Sequence, residues 1–127
     1  MMDDLYREMI LEHYKNPIHK GNLELHNHDF EDENPLCGDF IHIDLQVDED
    51  GTIRDAAFSG HGCAISQASA DILLDTIIGK KVDEVRNMEK QDLLDLLGID
   101  LGPVRLKCAL LPFKVMKAAL YGMEKDE

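Results

Sequence analysis

The apolar residues change their spacing near the middle of the chain, and this change restricts the fold more than any other feature. Apolar residues occupy the odd positions of 41–47 and alternate with polar ones. This period of two predicts a strand with one buried face and one solvent-exposed face. The acidic segment 48–51, which ends in glycine, predicts a hairpin turn, and a second strand is expected at 52–59. The two strands are therefore expected to pair antiparallel.

From Ala64 the apolar residues recur at helical spacing, and Gly79 is a suitable stop for the helix. Three polar residues of this helix are expected to face solvent: Gln67, Asp71 and Asp75. Further helices are predicted at about 4–14, 82–86 and 90–97, with a last one that begins just past Cys108, takes Pro112 in its first turn and ends near Tyr121. The polar segment 20–34 offers at most a weak strand near 23–25. This order predicts an α+β fold in which a small antiparallel sheet packs against helices on one face.

The chain length fits one domain of the commonest size, so residues 1–127 are expected to form a single domain. Hydrophobic residues make up 44% of the chain, but their uninterrupted runs are too short to cross a bilayer. The N-terminal residues are acidic, whereas an export signal would be basic. We therefore expect a cytoplasmic protein without a membrane segment.

The charge is negative and unevenly distributed. Thirteen basic and 26 acidic residues give a formal net charge of −13, which would be repelled by a phosphate backbone and argues against nucleic-acid binding. Residues 101–123 nevertheless contain no acid, and they hold the four bases of a basic patch: Arg105, Lys107, Lys114 and Lys117. This basic patch suits docking to a charged protein partner, although an ordinary solvated surface has the same composition.

Cys37, Cys63 and Cys108 are an odd number of cysteines for a disulfide framework, so each is expected to be inert, reactive or metal-binding. Each is predicted to lie at a boundary between elements. Helices predicted to begin after Cys63 and Cys108 favour thiolates there, and Lys107 adds a cation beside Cys108. Structural cysteines would more naturally lie on apolar faces, so this placement favours a chemical role.

Asp39 follows Cys37 by two positions, and Gly38 between them allows a tight turn that directs both side chains to one centre. Three thiolates and one carboxylate are enough for one tetrahedral zinc ion or for two sulfide-bridged irons. Oxygen matches soft metal centres less well than sulfur, so a weak fourth ligand suits a site that releases its cargo. The alternative role of Asp39 is that of a turn residue before a strand. No CxxC pair occurs, so any such site must be assembled by the fold.

Short motifs follow one another along nearly the whole chain. They are Leu5-Tyr6, His13-Tyr14-Lys15-Asn16-Pro17, Asn34-Pro35-Leu36-Cys37-Gly38-Asp39, Gly60-His61-Gly62-Cys63-Ala64-Ile65-Ser66 and Arg105-Leu106-Lys107-Cys108. Together, in this order and at this spacing, they resemble the U-type iron–sulfur cluster assembly scaffolds, the IscU, SufU and NifU N-terminal family.

The resemblance implies an antiparallel sheet packed against helices, and a scaffold or carrier rather than an enzyme. On such a scaffold, sulfur from a cysteine desulfurase and added iron form a transient [2Fe-2S] cluster that passes to client apoproteins. The resemblance places its ligands at Cys37, Cys63 and Cys108, with Asp39 as the fourth donor or as a residue that governs release. Members of this family also bind Zn²⁺ at the same place.

The chain departs from the family pattern near its third cysteine. Lys107 stands where many IscU-type members have histidine, and a protonated lysine cannot coordinate a metal. Lys107 is instead expected to stabilise a thiolate or persulfide at Cys108, which is the candidate persulfide acceptor. Only 44 residues separate Cys63 from Cys108, so an insertion that the SufU branch carries there is missing.

The segment Leu101-Gly102-Pro103-Val104-Arg105 is similar to the Leu-Pro-Pro-Val-Lys motif by which IscU-type scaffolds engage a heat-shock chaperone. Gly102 replaces the first proline and Arg105 replaces the lysine. A chaperone therefore joins the desulfurase and the client apoproteins among the expected partners.

Two other functions compete with the scaffold. A SufU-like protein would hold zinc with the same residues and would accept sulfur from the desulfurase. A small structural zinc domain fits less well, because a chain of this length needs no metal to fold. His61, two residues before Cys63, also suggests a Cys–His nucleophilic pair, but a loop histidine is more often simply exposed.

Overall fold

The structure is a computed structural model that describes residues 2–35 and 38–121. The elements in these two ranges are α1 (Met2–Lys15), β1 (His28–Asn34), β2 (Asp39–Val47), β3 (Ile53–His61), α2 (Ala64–Ile77), α3 (Val82–Arg86), α4 (Lys90–Leu97) and α5 (Pro103–Tyr121). The strands form an antiparallel sheet in the order β1-β2-β3. The predicted α+β fold with a small antiparallel sheet is therefore confirmed.

One face of the sheet is covered by helices. Helix α5 packs on β1 and β2, α2 packs on β3 and α5, and α1 packs on α2. Ile41, Ile43 and Leu45 point from β2 toward these helices and are fully buried, as the period-two pattern predicts. Opposite them, Leu73 and Met116 supply fully buried side chains from α2 and α5.

Strand β1 was not predicted, because its sequence is acidic and carries one aromatic residue. Its side chains alternate between half-buried and exposed, and Phe30, Asp32 and Asn34 are on the half-buried side, which packs on α5. The whole strand pairs with β2, from His28 opposite Leu45 to Asn34 opposite Asp39. Pairing and packing thus create a strand that local propensity does not favour.

Residues 20–27, which we call the crossing segment, run over the face of the sheet that the helices leave open. The segment begins at the outer edge of β3, where the Gly21 amide donates to the Phe58 carbonyl at 2.6 Å. The Leu23 amide then donates to the Asp44 carboxylate at 3.2 Å. The segment ends where the Asn27 amide donates to the Leu45 carbonyl at 3.0 Å. The weak strand predicted near 23–25 is therefore wrong, because these amides bond across the sheet.

Part of the face of helix α2 that was predicted to be solvent-exposed is buried. Asp71 is fully buried, and its carboxylate accepts hydrogen bonds from the His13 ring at 2.6 Å and from the amides of Ile18 and His19 at 3.1 and 2.7 Å. The chain after α1 folds back onto this face of α2, which sequence periodicity cannot foresee. Gln67 is also buried, whereas the side chain of Asp75 is 57% exposed, as predicted.

Helix α5 begins earlier than predicted. Pro103 is its first residue, a position where the missing amide costs nothing and the fixed φ angle favours a helix. Cys108 is therefore in the second turn rather than before the helix, so the predicted thiolate stabilisation by a helix start does not apply to it. Pro112 is in the helix interior, not in the first turn.

Candidate metal centre

Asp39 and Cys63 are in contact, because the start of β2 lies beside the start of α2. Asp39 is the first residue of β2 and is fully buried, and Cys63 is the N-cap residue of α2. The Cys63 amide donates to Asp39 Oδ1 at 2.8 Å, and Cys63 Sγ lies 3.7 Å from Asp39 Oδ2. The carboxylate thus satisfies the N-cap amide, one of the amides that the helix leaves unpaired.

The two glycines before Cys63 are required by the close approach of β3 to β2. Gly62 has φ +145° and Gly60 has φ +138°, values that residues with a side chain rarely adopt. A Cβ at Gly62 would collide with the Asp39 carboxylate, and a Cβ at Gly60 would collide with the Phe40 carbonyl. The two glycines of the Gly-His-Gly-Cys sequence are therefore required for steric reasons.

Cys108 reaches the same place from α5. Its side chain is buried, with 2% of the residue exposed. One ligand atom each from Asp39, Cys63 and Cys108 lies within 4.8 Å of the others. Helix α5 is held against α2 by the Ser69 hydroxyl, which donates to the Ala109 carbonyl at 2.7 Å, one residue from Cys108.

Three of the four predicted ligand residues are therefore brought together by the fold, although they are far apart in the sequence. The fourth, Cys37, lies outside the described residues. The distances suit a small ion, because a tetrahedral zinc site with one oxygen and one sulfur ligand separates those two atoms by about 3.5 Å. Asp39 is the hard donor in a set that is otherwise soft.

Lys107 and Cys108 line different clefts, although they are neighbours in the sequence. Lys107 is exposed and lines a groove between the end of β1 and α5, beside Pro35 and Leu110. The cleft of about 460 Å³ that both Cys63 and Cys108 line contains two other cations, Arg7 and Arg105. Sequence reasoning missed Arg7, because nothing in the sequence links α1 to the thiols.

The contacts of His61 do not indicate a nucleophilic pair with Cys63. Its exposed ring stacks on the Phe40 ring, with 5.8 Å between the ring centroids. This contact explains the position of His61 without a role in proton transfer to Cys63.

Two of the four cations in the basic patch, Lys114 and Lys117, make contacts within the fold. Lys114 forms an ion pair with Asp32 at 2.8 Å. Lys117 donates to the Arg86 carbonyl at 2.9 Å, and burial, together with the nearby Arg86 charge, lowers the Lys117 pKa. Arg105 and Lys107 are exposed, and the Lys114 side chain is 69% exposed despite its ion pair, so a charged partner would meet these three cations of the patch.

The segment that resembles a chaperone motif is not extended throughout. Residues 103–105 form the first turn of α5, and the Leu106 amide donates to the Gly102 carbonyl at 2.9 Å. A partner that reads this segment as an extended peptide would have to unwind that turn.

The fold and the site define a small α+β protein that presents thiols and a carboxylate together at one cleft. The NifU-like N-terminal domain matches residues 5–127, and the chain belongs to this family. This agrees with the resemblance stated from the sequence motifs. Among the described residues, no helix is long and apolar enough to span a membrane.

Relatives of two kinds are similar to this chain. The zinc-dependent sulfurtransferase SufU of Bacillus subtilis (strain 168) is 36% identical over 143 residues, covering 99% of this chain and 94% of SufU. The iron–sulfur cluster assembly scaffold protein IscU of Escherichia coli (strain K12) is 32% identical over 123 residues, covering 91% of each chain.

Solved structures show the same fold. The crystal structure of FiSufU from Fervidobacterium islandicum AW-1 superimposes with a TM-score of 0.77 at 31% identity, covering 89% of this chain and 94% of that chain. A NifU-like N-terminal protein from Brucella abortus gives a TM-score of 0.73 at 25% identity, with 94% of each chain covered.

Proposed function

We propose that this protein is a scaffold for iron–sulfur cluster assembly. It receives sulfur from a cysteine desulfurase, combines it with iron in a [2Fe-2S] cluster, and transfers the cluster to client apoproteins. The observation that carries this proposal is the convergence of Asp39, Cys63 and Cys108 ligand atoms to within 4.8 Å. The same residues are also the proposed Zn²⁺ ligands.

Cys37 completes the proposed ligand set. Two peptide units separate it from Asp39 in the sequence, a span of about 7 Å between Cα atoms at full extension. This short tether supports a thiol close to the carboxylate. Three thiolates and one carboxylate then supply the four donors that a [2Fe-2S] cluster requires.

Asp39 is proposed to govern release of the cluster. Its carboxylate is a poorer match for iron in a sulfur-rich cluster than a fourth thiolate would be, so it is the ligand that exchanges most readily. The hydrogen bond from the Cys63 amide to Oδ1 holds the carboxylate in place and leaves Oδ2 beside the Cys63 thiol.

The decisive experiment is anaerobic reconstitution with iron, a thiol, cysteine and a desulfurase. Iron, sulfide and zinc contents are measured, together with visible absorption and transfer to an apoferredoxin. We expect bound iron and sulfide in the wild type, their loss in Cys63→Ser, and a longer-lived cluster in Asp39→Ala. Asp75→Ala, which removes an exposed carboxylate, is the matched control.

Two outcomes would count against the proposal. Absence of iron and sulfide from the reconstituted wild type would exclude the scaffold. A cluster that decays faster in Asp39→Ala than in the wild type would refute the release role of Asp39, because a removed exchangeable ligand should slow the loss.

The second candidate is a zinc-bound sulfur acceptor that activates the desulfurase, and the similarity to SufU favours it. The alignment with SufU spans 143 positions, more than the 127 residues of this chain, so part of SufU has no counterpart here. Zinc in protein purified without added metal, a faster desulfurase and no transferable cluster would support this candidate over the scaffold.

Sulfur transfer in either case has two candidate acceptors. Cys108 with assistance from Lys107 is the acceptor proposed from the sequence, but Cys108 is 2% exposed, so the cleft must open for a persulfide to reach it. Cys63 is exposed without such a movement. The acceptor thiolate attacks the outer persulfide sulfur, and the desulfurase thiolate leaves. Mass spectrometry of the persulfide in Cys63→Ser and Cys108→Ser identifies the acceptor.

We further propose that the protein acts as a single domain in the cytoplasm, where reducing conditions keep its cysteines as thiols. Its proposed partners are the desulfurase, client apoproteins and a heat-shock chaperone that binds Leu101–Arg105. Neither a nucleic acid nor a membrane is part of this proposal.

A further inference from the structure

A second group of ionisable side chains lies on the face of the sheet that the helices leave open. Asp29 of β1 and Asp44 of β2 are directly opposite each other in the antiparallel register. Like charges at directly opposed positions destabilise a sheet unless a cation lies between them. The residue beside both carboxylates is His26 of the crossing segment, whose Nε2 lies 3.1 Å from Asp29 Oδ2 and 3.6 Å from Asp44 Oδ1.

The ring of His26 is oriented by a backbone contact outside this group. Its Nδ1 lies 2.8 Å from the Leu23 carbonyl, which can only accept, so Nδ1 carries the hydrogen. Without a metal ion, Nε2 donates to the Asp29 carboxylate, and a bound metal ion would replace that hydrogen and take the Nε2 lone pair. Metal-binding histidines are typically fixed in this way, with the other nitrogen donating to a carbonyl or carboxylate.

Asp44 is held in place by two further contacts. It is 3% exposed, and its Oδ2 accepts the Leu23 amide at 3.2 Å. Its Oδ1 lies 2.7 Å from Nε2 of His42, whose other nitrogen lies 2.9 Å from a Glu31 oxygen. Because carboxylate oxygens only accept, His42 donates from both nitrogens and orients Asp44.

We propose that His26, Asp29 and Asp44 form a binding site for a divalent transition-metal ion such as Zn²⁺ or Fe²⁺. One ligand atom from each residue lies within 4.8 Å of the others. Ligand atoms in a tetrahedral zinc site with nitrogen and oxygen donors are about 3.3 Å apart, close to the His26 distances. One imidazole and two carboxylates suit these borderline ions, and water completes the coordination.

This site is separate from the cleft that Cys63 and Cys108 line. Asp44 follows Asp39 by five residues along β2, a distance of about 16 Å. The odd spacing also places the two side chains on opposite faces of the sheet. A metal ion held here therefore cannot share ligands with the thiols, and the experiment below tests this site independently of cluster assembly.

The test is a Zn²⁺ titration of the full chain, continued beyond the amount that the cysteines bind. The histidine rings are followed by long-range ¹H–¹⁵N NMR, and the affinity of the second ion is measured by calorimetry. We expect the His26 Nε2 signal to move to the range of a metal-bound nitrogen. His26→Gln and Asp29→Asn should each weaken the second binding event at least about tenfold.

His28→Gln is the matched control. His28 is two residues along in the sequence, but its ring bonds to the Asn27 side chain and it lies on the other face of β1. We expect its affinity for the second ion to equal that of the wild type. A His26 signal that Zn²⁺ leaves unchanged, or equal affinities in His26→Gln and the wild type, would overturn the proposal.

Discussion

The collision expected at Gly62 gives the sharpest test of how the fold builds the candidate metal centre. The change is Gly62→Ala, which introduces a Cβ where the Asp39 carboxylate lies. Gly21→Ala is the matched control, because the φ angles of the two glycines are nearly equal, +142° at Gly21 and +145° at Gly62, and a Cβ at Gly21 meets nothing within 4 Å. The comparison separates backbone strain from the collision.

The magnitudes follow from the contacts that each change affects. Backbone strain at a positive φ costs about 1–3 kcal/mol of unfolding free energy, and this applies to both variants. Gly62→Ala also displaces the carboxylate that accepts the Cys63 amide. Losing a hydrogen bond to a charged acceptor costs about 1.5–3 kcal/mol more. We therefore expect Gly62→Ala to be less stable than Gly21→Ala by that second amount.

The assay is urea unfolding of metal-free protein, followed by circular dichroism, together with Zn²⁺ affinity measured against a competing chelator. Gly62→Ala should bind Zn²⁺ more weakly than Gly21→Ala, since the carboxylate ligand is displaced. Equal stability and equal Zn²⁺ affinity in the two variants would refute the geometry described for Gly62 and Asp39.

Two substitutions and one chemical modification test separate parts of the structure. Asp71→Asn should lower the free energy of unfolding by about 2–3 kcal/mol in urea denaturation, because a buried charged acceptor with three donors is lost. Alkylation of metal-free protein, followed by mass spectrometry, should modify exposed Cys63 faster than buried Cys108. Burial raises the pKa of Asp32, but hydrogen bonds from Lys114 and from the Glu33 amide lower it by a larger amount. The pKa of Asp32 is therefore below its usual value. Lys114→Met should therefore raise that pKa in an NMR titration and lower stability at neutral pH by about 0.5 kcal/mol or less.

Each of these predictions has a control or a contradicting result. Asp75→Asn, an exposed change on the same helix, should alter stability little, and an equal loss in Asp71→Asn and Asp75→Asn would contradict the buried role of Asp71. Equal alkylation rates of the two thiols would contradict the burial of Cys108. Since a lowered carboxyl pKa stabilises the fold only above that pKa, the effect of Lys114→Met should vanish as the pH falls below it. An effect that persists in acid would refute the ion pair.

The regular elements of this fold could be predicted where the sequence has a clear period. The alternation at 41–47 predicted β2, and the short helices at 82–86 and 90–97 occur where expected. Strand β1 could not be predicted, because its pairing with β2 compensates for an acidic sequence. Helix α5 was misplaced because proline fits a first turn equally well at residue 103 and residue 112, and only packing against α2 and the sheet distinguishes the two.

The sequence alone determined the family, the fold class and the residue types of the candidate site, because motif order and hydrophobic period are local properties. The tertiary structure decided which atoms meet. It placed the Asp39 carboxylate against the Cys63 amide, brought Cys108 there from inside a helix, and sent Lys107 to another groove. It also placed Asp29 opposite Asp44 beneath His26. These contacts join residues that are distant along the chain, and strand register and helix packing set them.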